Sequence, residues 1–263
     1  MVTTIDVDQD FMQFIQRLKL KTGIDLALYK ENQMKRRLNS LKEKSGFRSF
    51  VDFFQAMMKN PELYMEFLDQ MTINVSEFYR NPNRWKVLEK RVFPELFAKN
   101  GRIKCWSAAC STGEEPYSLV MALSSFLSLR EIQVLATDID QNAIEKAKLG
   151  KYQPHSVKDV PKPHLNKFFA AQDHQYVILD EVKRCVQFKR HNLLADPFEQ
   201  NFDLIVCRNV LIYFTEEAKE AMFEKFSKSL KKGGYFFIGG TEQIFHPQKY
   251  QLEPVDTFFY RKV

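Results

Sequence analysis

Four local patterns follow one another between residues 103 and 140. They are an apolar segment, a turn of small residues, a segment with helical character and a second apolar segment with an acid at its end. The turn covers residues 108–113, and the second apolar segment is followed by Asp138. A strand, a helix and a second strand in this order form a βαβ unit, whose two strands lie parallel in one sheet. The sequence therefore predicts a mainly parallel sheet flanked by helices.

The turn suits a nucleoside-containing ligand, although it differs from a dinucleotide-binding turn. It has one glycine, Gly113, where the dinucleotide fingerprint has three, and Glu114 and Glu115 stand where the next helix begins. Two carboxylates at a helix N-terminus repel a pyrophosphate and suit a cationic ligand, so S-adenosylmethionine fits better than NAD. Asp138, 25 positions after Gly113, is spaced to accept hydrogen bonds from ribose hydroxyls. Alternatively, the glutamates offset a helix dipole and Asp138 caps a helix.

The first part of the chain has helical periodicity from Phe11 to Met71 and almost no strand pattern. We predict four short helices in an all-α N-terminal bundle. The second helix is basic, because residues 30–48 hold seven basic and two acidic side chains. When its apolar residues face inward, Lys35, Arg36 and Lys42 face outward, either as a docking surface or as an ordinary solvated face.

Later in the chain, segments typical of strands alternate with segments typical of helices, which predicts an α/β domain. Prolines interrupt this alternation, and residues 176–179 and 184–189 are predicted to form a short antiparallel pair there. The last strand is predicted at residues 257–261. The predicted parts are a helical domain at 1–72, a linker that contributes to the ligand site at 73–94, and an α/β domain at 95–263 with an insertion at 150–190.

Further polar residues follow the ends of predicted strands. Asn192 follows one strand, and Arg208, Asn209 and Tyr213 follow the apolar strand at residues 202–207. Ligands of doubly wound sheets bind beyond the carboxyl ends of the strands, so these side chains are expected near Gly113 and Asp138, with Asn192 pairing with adenine. The alternatives are loop capping and a salt bridge for Arg208 and Asn209, and an aromatic core for Tyr213.

Several classes of protein are disfavoured by composition. No apolar run approaches the roughly 20 residues of a membrane span, and the polar opening at residues 1–10 does not resemble a signal peptide, so we expect a cytoplasmic protein. No metal site is predicted, because the cysteines lack metal-binding spacing; they are interpreted as core thiols. These cysteines are Cys105, Cys110, Cys185 and Cys207.

Together these motifs strongly resemble the CheR family of chemoreceptor methyltransferases, in matching order from Phe11 to Lys262. The motifs are TINVSEFYR at residues 72–80, SAACSTGEEPYS at 107–118, ATDID at 136–140, NLL at 192–194 and CRNVLIYF at 207–214. The resemblance implies a Rossmann-like class I S-adenosylmethionine-dependent methyltransferase domain with a small inserted antiparallel β-subdomain, preceded by the all-α bundle. It also implies a protein-glutamate O-methyltransferase that esterifies glutamates on the cytoplasmic helices of chemotaxis receptors and releases S-adenosylhomocysteine. We expect a monomer that neither enters the membrane nor binds nucleic acid.

The resemblance also assigns residues. The implied cofactor contacts are Asn74, Ser76, Arg80, Glu115, Asp138, Asn192, Leu193, Arg208 and Asn209. The implied catalytic helpers are Arg80 and Tyr213. Because the methylation regions of the implied receptors are acidic helices, we also predict that Lys35, Arg36 and Lys42 of the basic helix steer docking. Members that bind a receptor's C-terminal pentapeptide have a longer, glycine-containing loop than residues 170–176 here, which predicts a pentapeptide-independent enzyme.

A glutamate carboxylate is ionised at neutral pH, so the expected reaction needs no general base. Arg80 and Tyr213 are therefore expected to orient the reactants without transferring a proton. Two alternatives remain open. One is an RNA methyltransferase, although no RNA-binding module is evident. The other is a non-catalytic regulator that binds S-adenosylmethionine.

Overall fold

The computed structural model describes residues 7–99 and 101–263. Residues 1–6, which begin the polar opening discussed above, lie outside the described residues. The chain divides into two compact units. The first holds the residues up to Ile73 together with Tyr213–Glu220, and the second holds Asn74–Ile212 and Ala221–Val263. The sequence predicted residues 213–220 within the α/β domain, whereas the structure groups them with the helices.

Four helices form most of the first unit, as predicted. They are α1 Val7–Thr22, α2 Glu31–Lys44, α3 Phe50–Met57 and α4 Pro61–Thr72. Side-chain caps set where two of them begin: the Ser49 hydroxyl accepts from the Asp52 amide at 3.0 Å, and the Asn60 side chain accepts from the Glu62 amide at 3.0 Å. Asp10 of α1 also accepts from the first amides of α3, which ties these two helices together.

Phe14 lies at the centre of this unit's core. Its side chain is 0% exposed, and its ring centroid lies within 6.3 Å of five other phenylalanine rings. Those rings belong to Phe11, Phe50, Phe53, Phe54 and Phe67. Because aromatic rings bury large areas and attract one another edge to face, this cluster stabilises the bundle.

A seven-stranded sheet forms the centre of the second unit and confirms the predicted α/β fold. Its strands are β1 Cys105–Ala108, β2 Val134–Asp138, β6 Val186–Arg190, β7 Phe202–Cys207, β8 Leu230–Ile238, β9 Leu252–Asp256 and β10 Phe259–Lys262. Their order is β6-β2-β1-β7-β8-β10-β9, and the first five strands are parallel while β10 is antiparallel to both neighbours. The order reverses at β1, which is where doubly wound sheets bind ligands.

Helices accompany this sheet and connect its strands. They are α5 Pro82–Val87, α6 Phe93–Phe97, α7 Glu114–Leu123, α8 Gln141–Leu149, α9 Lys162–Phe168, α10 Asp180–Lys183 and α11 Glu216–Ser229. All six residues of β7 are buried, as expected for a central strand covered on both faces. The four cysteines are also buried, and burial raises the pKa of each thiol.

The insertion contains a three-stranded antiparallel sheet, which confirms the predicted β-subdomain but not its predicted pairing. Its strands are β3 Lys151–Tyr152, β4 Phe169–Gln172 and β5 Gln175–Ile178, in the order β3-β5-β4. Residues 184–189 were predicted to pair with residues 176–179, and this prediction is wrong. Residues 186–189 belong to β6, which pairs in parallel with β2 in the main sheet. A two-residue turn at Asp173 and His174, both with positive φ, joins β4 to β5.

The last strand lies close to its predicted position, and β9 was not predicted. Pro254 interrupts the strand pattern of β9, which is tolerated because β9 is an edge strand. No helix in the described part of the chain is long and apolar enough to cross a bilayer.

Candidate functional site

The carboxyl ends of β1, β2, β6 and β7 lie at one edge of the sheet, because these strands are parallel neighbours. Asp138 ends β2, and His191 follows β6 directly. The His191 amide donates to the Asp138 carbonyl oxygen at 2.8 Å, which places Asn192 near the end of β2. Arg208 follows β7 in the same way. The structure therefore brings these predicted residues to one edge.

The turn after β1 has an unusual backbone. Ala109 and Ser111 have positive φ of 64° and 49°, and Gly113 has φ of 96°. A Cβ atom at Gly113 would lie 2.8 Å from the Ala147 Cβ, so this position needs glycine for space as well as for its backbone angle. The turn directs the Ser111 amide at the Asp138 carboxylate, to which it donates at 2.7 Å.

Asp138 is buried and has an altered acidity. It accepts from the Ser111 amide and, at 3.0 Å, from the Asp140 amide. Desolvation by burial raises the pKa of this carboxyl to about 6, although the amide hydrogen bonds oppose the shift. A carboxylate has about four acceptor positions, and the amides of Ser111, Asp140 and Ile139 use three of them, so capacity for a ribose hydroxyl remains.

Asn74 connects three segments at this edge. Its amide nitrogen donates to Asp140 at 2.7 Å, and its carbonyl oxygen accepts from the Ser111 hydroxyl at 3.0 Å. Asp140 is buried and caps α8. Asn74 therefore joins the segment at residues 73–94 to the loops that follow β1 and β2, and the contribution of this segment to the ligand site stays a prediction.

Two glutamates begin α7, of which Glu114 is buried and Glu115 is 12% exposed. Glu114 accepts from the Thr112 hydroxyl at 2.7 Å and also forms a hydrogen bond with Ser76. Glu115 accepts from the Ser107 hydroxyl at 2.8 Å and lies 3.6 Å from an Arg208 Nη1. Burial raises the pKa of both carboxyls, and at Glu115 the neighbouring guanidinium opposes this effect.

Arg80 and Arg208 are the cationic residues of this cluster. The Arg80 guanidinium is partly exposed and donates to the Val75 carbonyl at 3.3 Å. Arg208 is buried, and its Nη2 donates to the Arg80 carbonyl and to the Asn81 side chain. Arg208 also lies beside Glu115, and the charge of Arg80 acts on the same carboxyl.

The loop after β6 holds Asn192 in a local turn. The Asn192 side-chain oxygen accepts from the Leu194 amide at 3.0 Å, and its own amide donates to Asp196. Leu193 is buried. The pairing of Asn192 with adenine stays a prediction.

Glu242 is a residue of this edge that sequence reasoning missed. It lies in the loop after β8, is buried, and accepts from the amides of Gly239, Asn209 and Leu211 at 2.6–3.0 Å. Asn209 has a positive φ of 59°, so this carboxylate holds a strained loop. The GGTE motif at residues 239–242 directly follows a buried strand, and this position could have identified Glu242 as a residue of the site edge.

Tyr213 belongs to the helical unit. Its carbonyl accepts from the Lys30 amide at 2.8 Å, and the Arg37 guanidinium lies 5.5 Å from its ring centroid. The backbones of Tyr29 and Phe214 form an isolated antiparallel β-bridge next to this hydrogen bond. The predicted action of Tyr213 beside Arg80 stays a prediction.

The basic helix α2 is confirmed, but one of its predicted outward residues is not exposed. Arg36 is exposed and Lys35 is partly exposed, with its ammonium 5.3 Å from the Phe11 ring. Lys42 is 6% exposed: its ammonium lies over the Phe50 ring and donates to the Arg48 carbonyl at 3.2 Å. The prediction that Lys42 faces outward is therefore wrong, because an aromatic face and a backbone oxygen bind its ammonium inside the bundle.

The residues at the sheet edge fit S-adenosylmethionine. Glu114, Glu115 and Asp138 place three carboxyls at this edge, and desolvation raises the pKa of each. Two of them begin a helix, where carboxylates suit a cationic ligand. S-adenosylmethionine carries such cations, an ammonium and a sulfonium. A dinucleotide diphosphate would instead add negative charge.

Comparison with known proteins agrees with this assignment. Residues 9–72 match the family model "CheR methyltransferase, all-alpha domain", and residues 74–259 match "CheR methyltransferase, SAM binding domain". The chain is 44% identical to the chemotaxis protein methyltransferase of Listeria monocytogenes over 98% of both chains. It is 34% identical to chemotaxis protein methyltransferase 1 of Pseudomonas aeruginosa, over 92% of this chain and 93% of that one. A relative from Borreliella burgdorferi, also named chemotaxis protein methyltransferase, is 34% identical over 84% of this chain and 83% of its own.

These matches confirm the predicted fold and cofactor. The second unit is a Rossmann-like class I methyltransferase domain that binds S-adenosylmethionine, and the first is the all-α domain that precedes it. The chain belongs to the CheR methyltransferase family.

Proposed function

We propose that this chain transfers the methyl group of S-adenosylmethionine to glutamate side chains of chemotaxis receptors. The products are glutamate 5-O-methyl esters and S-adenosylhomocysteine. The similarity to proteins named chemotaxis protein methyltransferase, which extends over almost the whole of both chains, carries this proposal. The proposed substrates are glutamates on the receptors' cytoplasmic helices, and the enzyme acts in the cytoplasm as a monomer.

The cofactor supplies an electrophilic methyl group on a sulfonium. The incoming glutamate carboxylate is already ionised, so the chain's residues have to align and desolvate it rather than remove a proton. Arg80 is suited to hold a carboxylate through two nitrogens, and Tyr213 to direct an oxygen through its hydroxyl. Orientation of this kind contributes several kcal/mol when the reacting atoms are held about 3 Å apart.

The proposed cofactor contacts are those predicted from the sequence. They are Asn74, Ser76, Arg80, Glu115, Asp138, Asn192, Leu193, Arg208 and Asn209. Two observations support this set. The carboxyls of Glu115 and Asp138 have raised pKa values, and Asn74 forms hydrogen bonds at the strand ends. The Arg208 guanidinium already forms hydrogen bonds with protein groups, so we propose that Arg208 contacts the cofactor through its main chain.

A labelling experiment tests the proposed reaction. The purified protein is incubated with methyl-labelled cofactor and either receptor cytoplasmic fragments or total RNA, and the product is treated with alkali. We expect label on the receptor fragment that alkali releases as methanol, since esters hydrolyse and N-methyl groups do not. Alkali-stable label, label on RNA alone, or binding without turnover would each overturn the proposal.

We further propose that the exposed basic face of α2 steers docking on acidic receptor helices. An Arg36→Glu variant, alone or with Lys35→Glu, is expected to raise KM for the receptor about two- to tenfold and to leave kcat nearly unchanged. The reason is that exposed ion pairs contribute little energy but favour encounter. Initial rates at several salt concentrations measure the effect.

Lys59→Glu is the matched control, because Lys59 is an exposed lysine of the same unit outside α2. It should leave KM unaltered. Equal KM and equal salt dependence in Arg36→Glu and the native chain would contradict docking through α2.

The two-residue turn between β4 and β5 supports a docking mode without a C-terminal pentapeptide. Asp173 and His174 are the turn's central residues, so no longer loop is available there. We propose that this enzyme methylates receptors with and without such a pentapeptide at similar KM.

Binding of S-adenosylhomocysteine is expected to weaken as the pH falls through about 6. Burial raises the pKa of Asp138 to about 6, so the ribose-binding carboxylate is ionised above this pH and protonated below it. Protonation removes its charge and acceptor capacity, and affinity should fall by up to about tenfold for each pH unit below 6. Glu115, with its raised pKa, acts in the same direction. Calorimetric titrations between pH 5 and pH 8 measure the profile.

Asp138→Asn should bind weakly and show a shallower profile, whereas Glu145→Gln, an exposed control on α8, should keep the native slope. Parallel profiles for the native chain and Asp138→Asn would show that another group controls the pH dependence.

A further inference from the structure

The Arg208 guanidinium is enclosed by protein. Its side chain is 3% exposed, and none of the described residues accepts a hydrogen bond from its Nε, an atom that solvent does not reach. An atom closed to water is closed to ligand atoms of similar size as well. The guanidinium therefore has little surface with which to touch a cofactor or a substrate.

Its hydrogen bonds instead go to the segment that carries Arg80. The Arg208 Nη2 donates to the Arg80 carbonyl at 2.7 Å and to the Asn81 Oδ1 at 2.9 Å. The indole nitrogen of Trp85 donates to the same Arg80 carbonyl at 3.2 Å. Arg80 is thus anchored through its main chain, whereas its partly exposed guanidinium donates to the Val75 carbonyl.

This segment needs anchors because its backbone is unfavourable. Tyr79 and Asn81, on either side of Arg80, both have positive φ, of 52° and 62°. Non-glycine residues hold such angles only where surrounding contacts compensate for them. The Tyr79 amide donates to the Ser118 hydroxyl at 3.0 Å, which fixes one side of the turn, and Arg208 fixes the other.

The other face of Arg208 rests on fixed groups of the α/β unit. Glu115 lies 3.6 Å from its Nη1, and its guanidinium carbon lies 4.8 Å from the centroid of the Phe237 ring, on β8. A charged partner and an aromatic face hold the planar group in one orientation. Arg208 therefore connects the beginning of α7 and the sheet to the Arg80 turn.

We infer that Arg208 is a positioning residue of the methyl transfer, whose guanidinium sets the place of Arg80 and touches neither cofactor nor substrate. This inference rests on the proposed role of Arg80. Lysine is a poor substitute, because a single ammonium does not reproduce the planar fork that reaches Arg80, Asn81 and Glu115 together.

A double-mutant cycle between Arg208 and Arg80 tests the inference. Arg208→Met is expected to lower kcat for receptor methylation about 20-fold and to change the Kd of S-adenosylhomocysteine less than about threefold, with Arg208→Lys in between. In an Arg80→Ala background, Arg208→Met should lower kcat by less than about twofold further, because it acts through Arg80. Arg102→Met, which replaces an exposed arginine before the beginning of β1, is the control and should match the native chain.

Each other outcome overturns the inference in a recognisable way. Additive losses of kcat would mean that Arg208 acts independently of Arg80, and a large rise in Kd with unchanged kcat would mean that its side chain binds the cofactor. Should Arg208→Met fail to fold, as judged by thermal unfolding, Asn81→Ala removes one of the same hydrogen bonds and should lower kcat in the same direction; native kcat in that variant overturns the inference. If Arg80→Ala alone keeps full turnover, the proposed role of Arg80 fails instead.

Discussion

Replacing Arg80 with alanine is expected to lower kcat for receptor methylation about 100-fold, the size of effect seen when a positioning group is lost from an active site. Arg80 is a partly exposed cation whose charge acts on the Glu115 carboxyl, and it lies on a turn held by Arg208 and Trp85. When the Arg80 guanidinium is removed, we expect the substrate carboxylate to lose its orientation, while most cofactor contacts remain. Steady-state rates with saturating receptor fragment, together with calorimetric Kd values, separate the two effects.

Arg84→Ala is the matched control for this variant. Arg84 lies four residues later, where it stacks on Phe258 and pairs with Asp256, and its loss should leave kcat within about twofold of native, as for an ordinary surface ion pair. Tyr213→Phe is expected to lower kcat less than Arg80→Ala does. Full turnover in both Arg80→Ala and Tyr213→Phe, with unchanged cofactor affinity, would contradict their assignment as the residues that orient the reaction.

Phe14→Ala is expected to destabilise the helical unit by about 3–5 kcal/mol, because it removes a fully buried ring and leaves a cavity among five others. This loss is comparable to the whole stability of many domains of this size. Urea unfolding followed by circular dichroism should show an earlier helical transition. The affinity for S-adenosylhomocysteine should persist at low urea, since the proposed cofactor residues lie in the α/β unit.

Met12→Ala is the control on the same helix, because the Met12 side chain is 53% exposed. Its transition should coincide with that of the native chain. A native-like transition in Phe14→Ala would show that the ring cluster contributes far less to stability than its burial indicates.

Local sequence patterns were sufficient to predict the main site elements. The small turn before Glu114, the acid at the end of β2 and the polar residues after β7 are each recognisable within a few residues of the chain. These residues follow strands that lie parallel in one sheet, so the parallel arrangement alone brings them to the same edge of that sheet. The sequence alone therefore indicates the residues that suggest the cofactor.

The errors concern contacts between distant parts of the chain. The strand pattern of β6 shows that it is a strand, but its partner β2 lies about 50 positions earlier, and periodicity does not specify partners. Lys42 was assigned to the surface from its charge and helical position, whereas its ammonium binds the Phe50 ring and the Arg48 carbonyl. Glu242 is linked to Asn209 across 33 positions, so no local window contains both.

The carboxylate of Glu242 also determines when the site is complete during synthesis. The loop at Asn209 and Leu211 depends on a residue that leaves the ribosome well after the loop itself. A nascent chain that already contains the other cofactor residues therefore still lacks the group that shapes this loop. Shortening the chain from its C-terminal end past Glu242 removes this carboxylate together with β9 and β10, although every proposed contact residue remains.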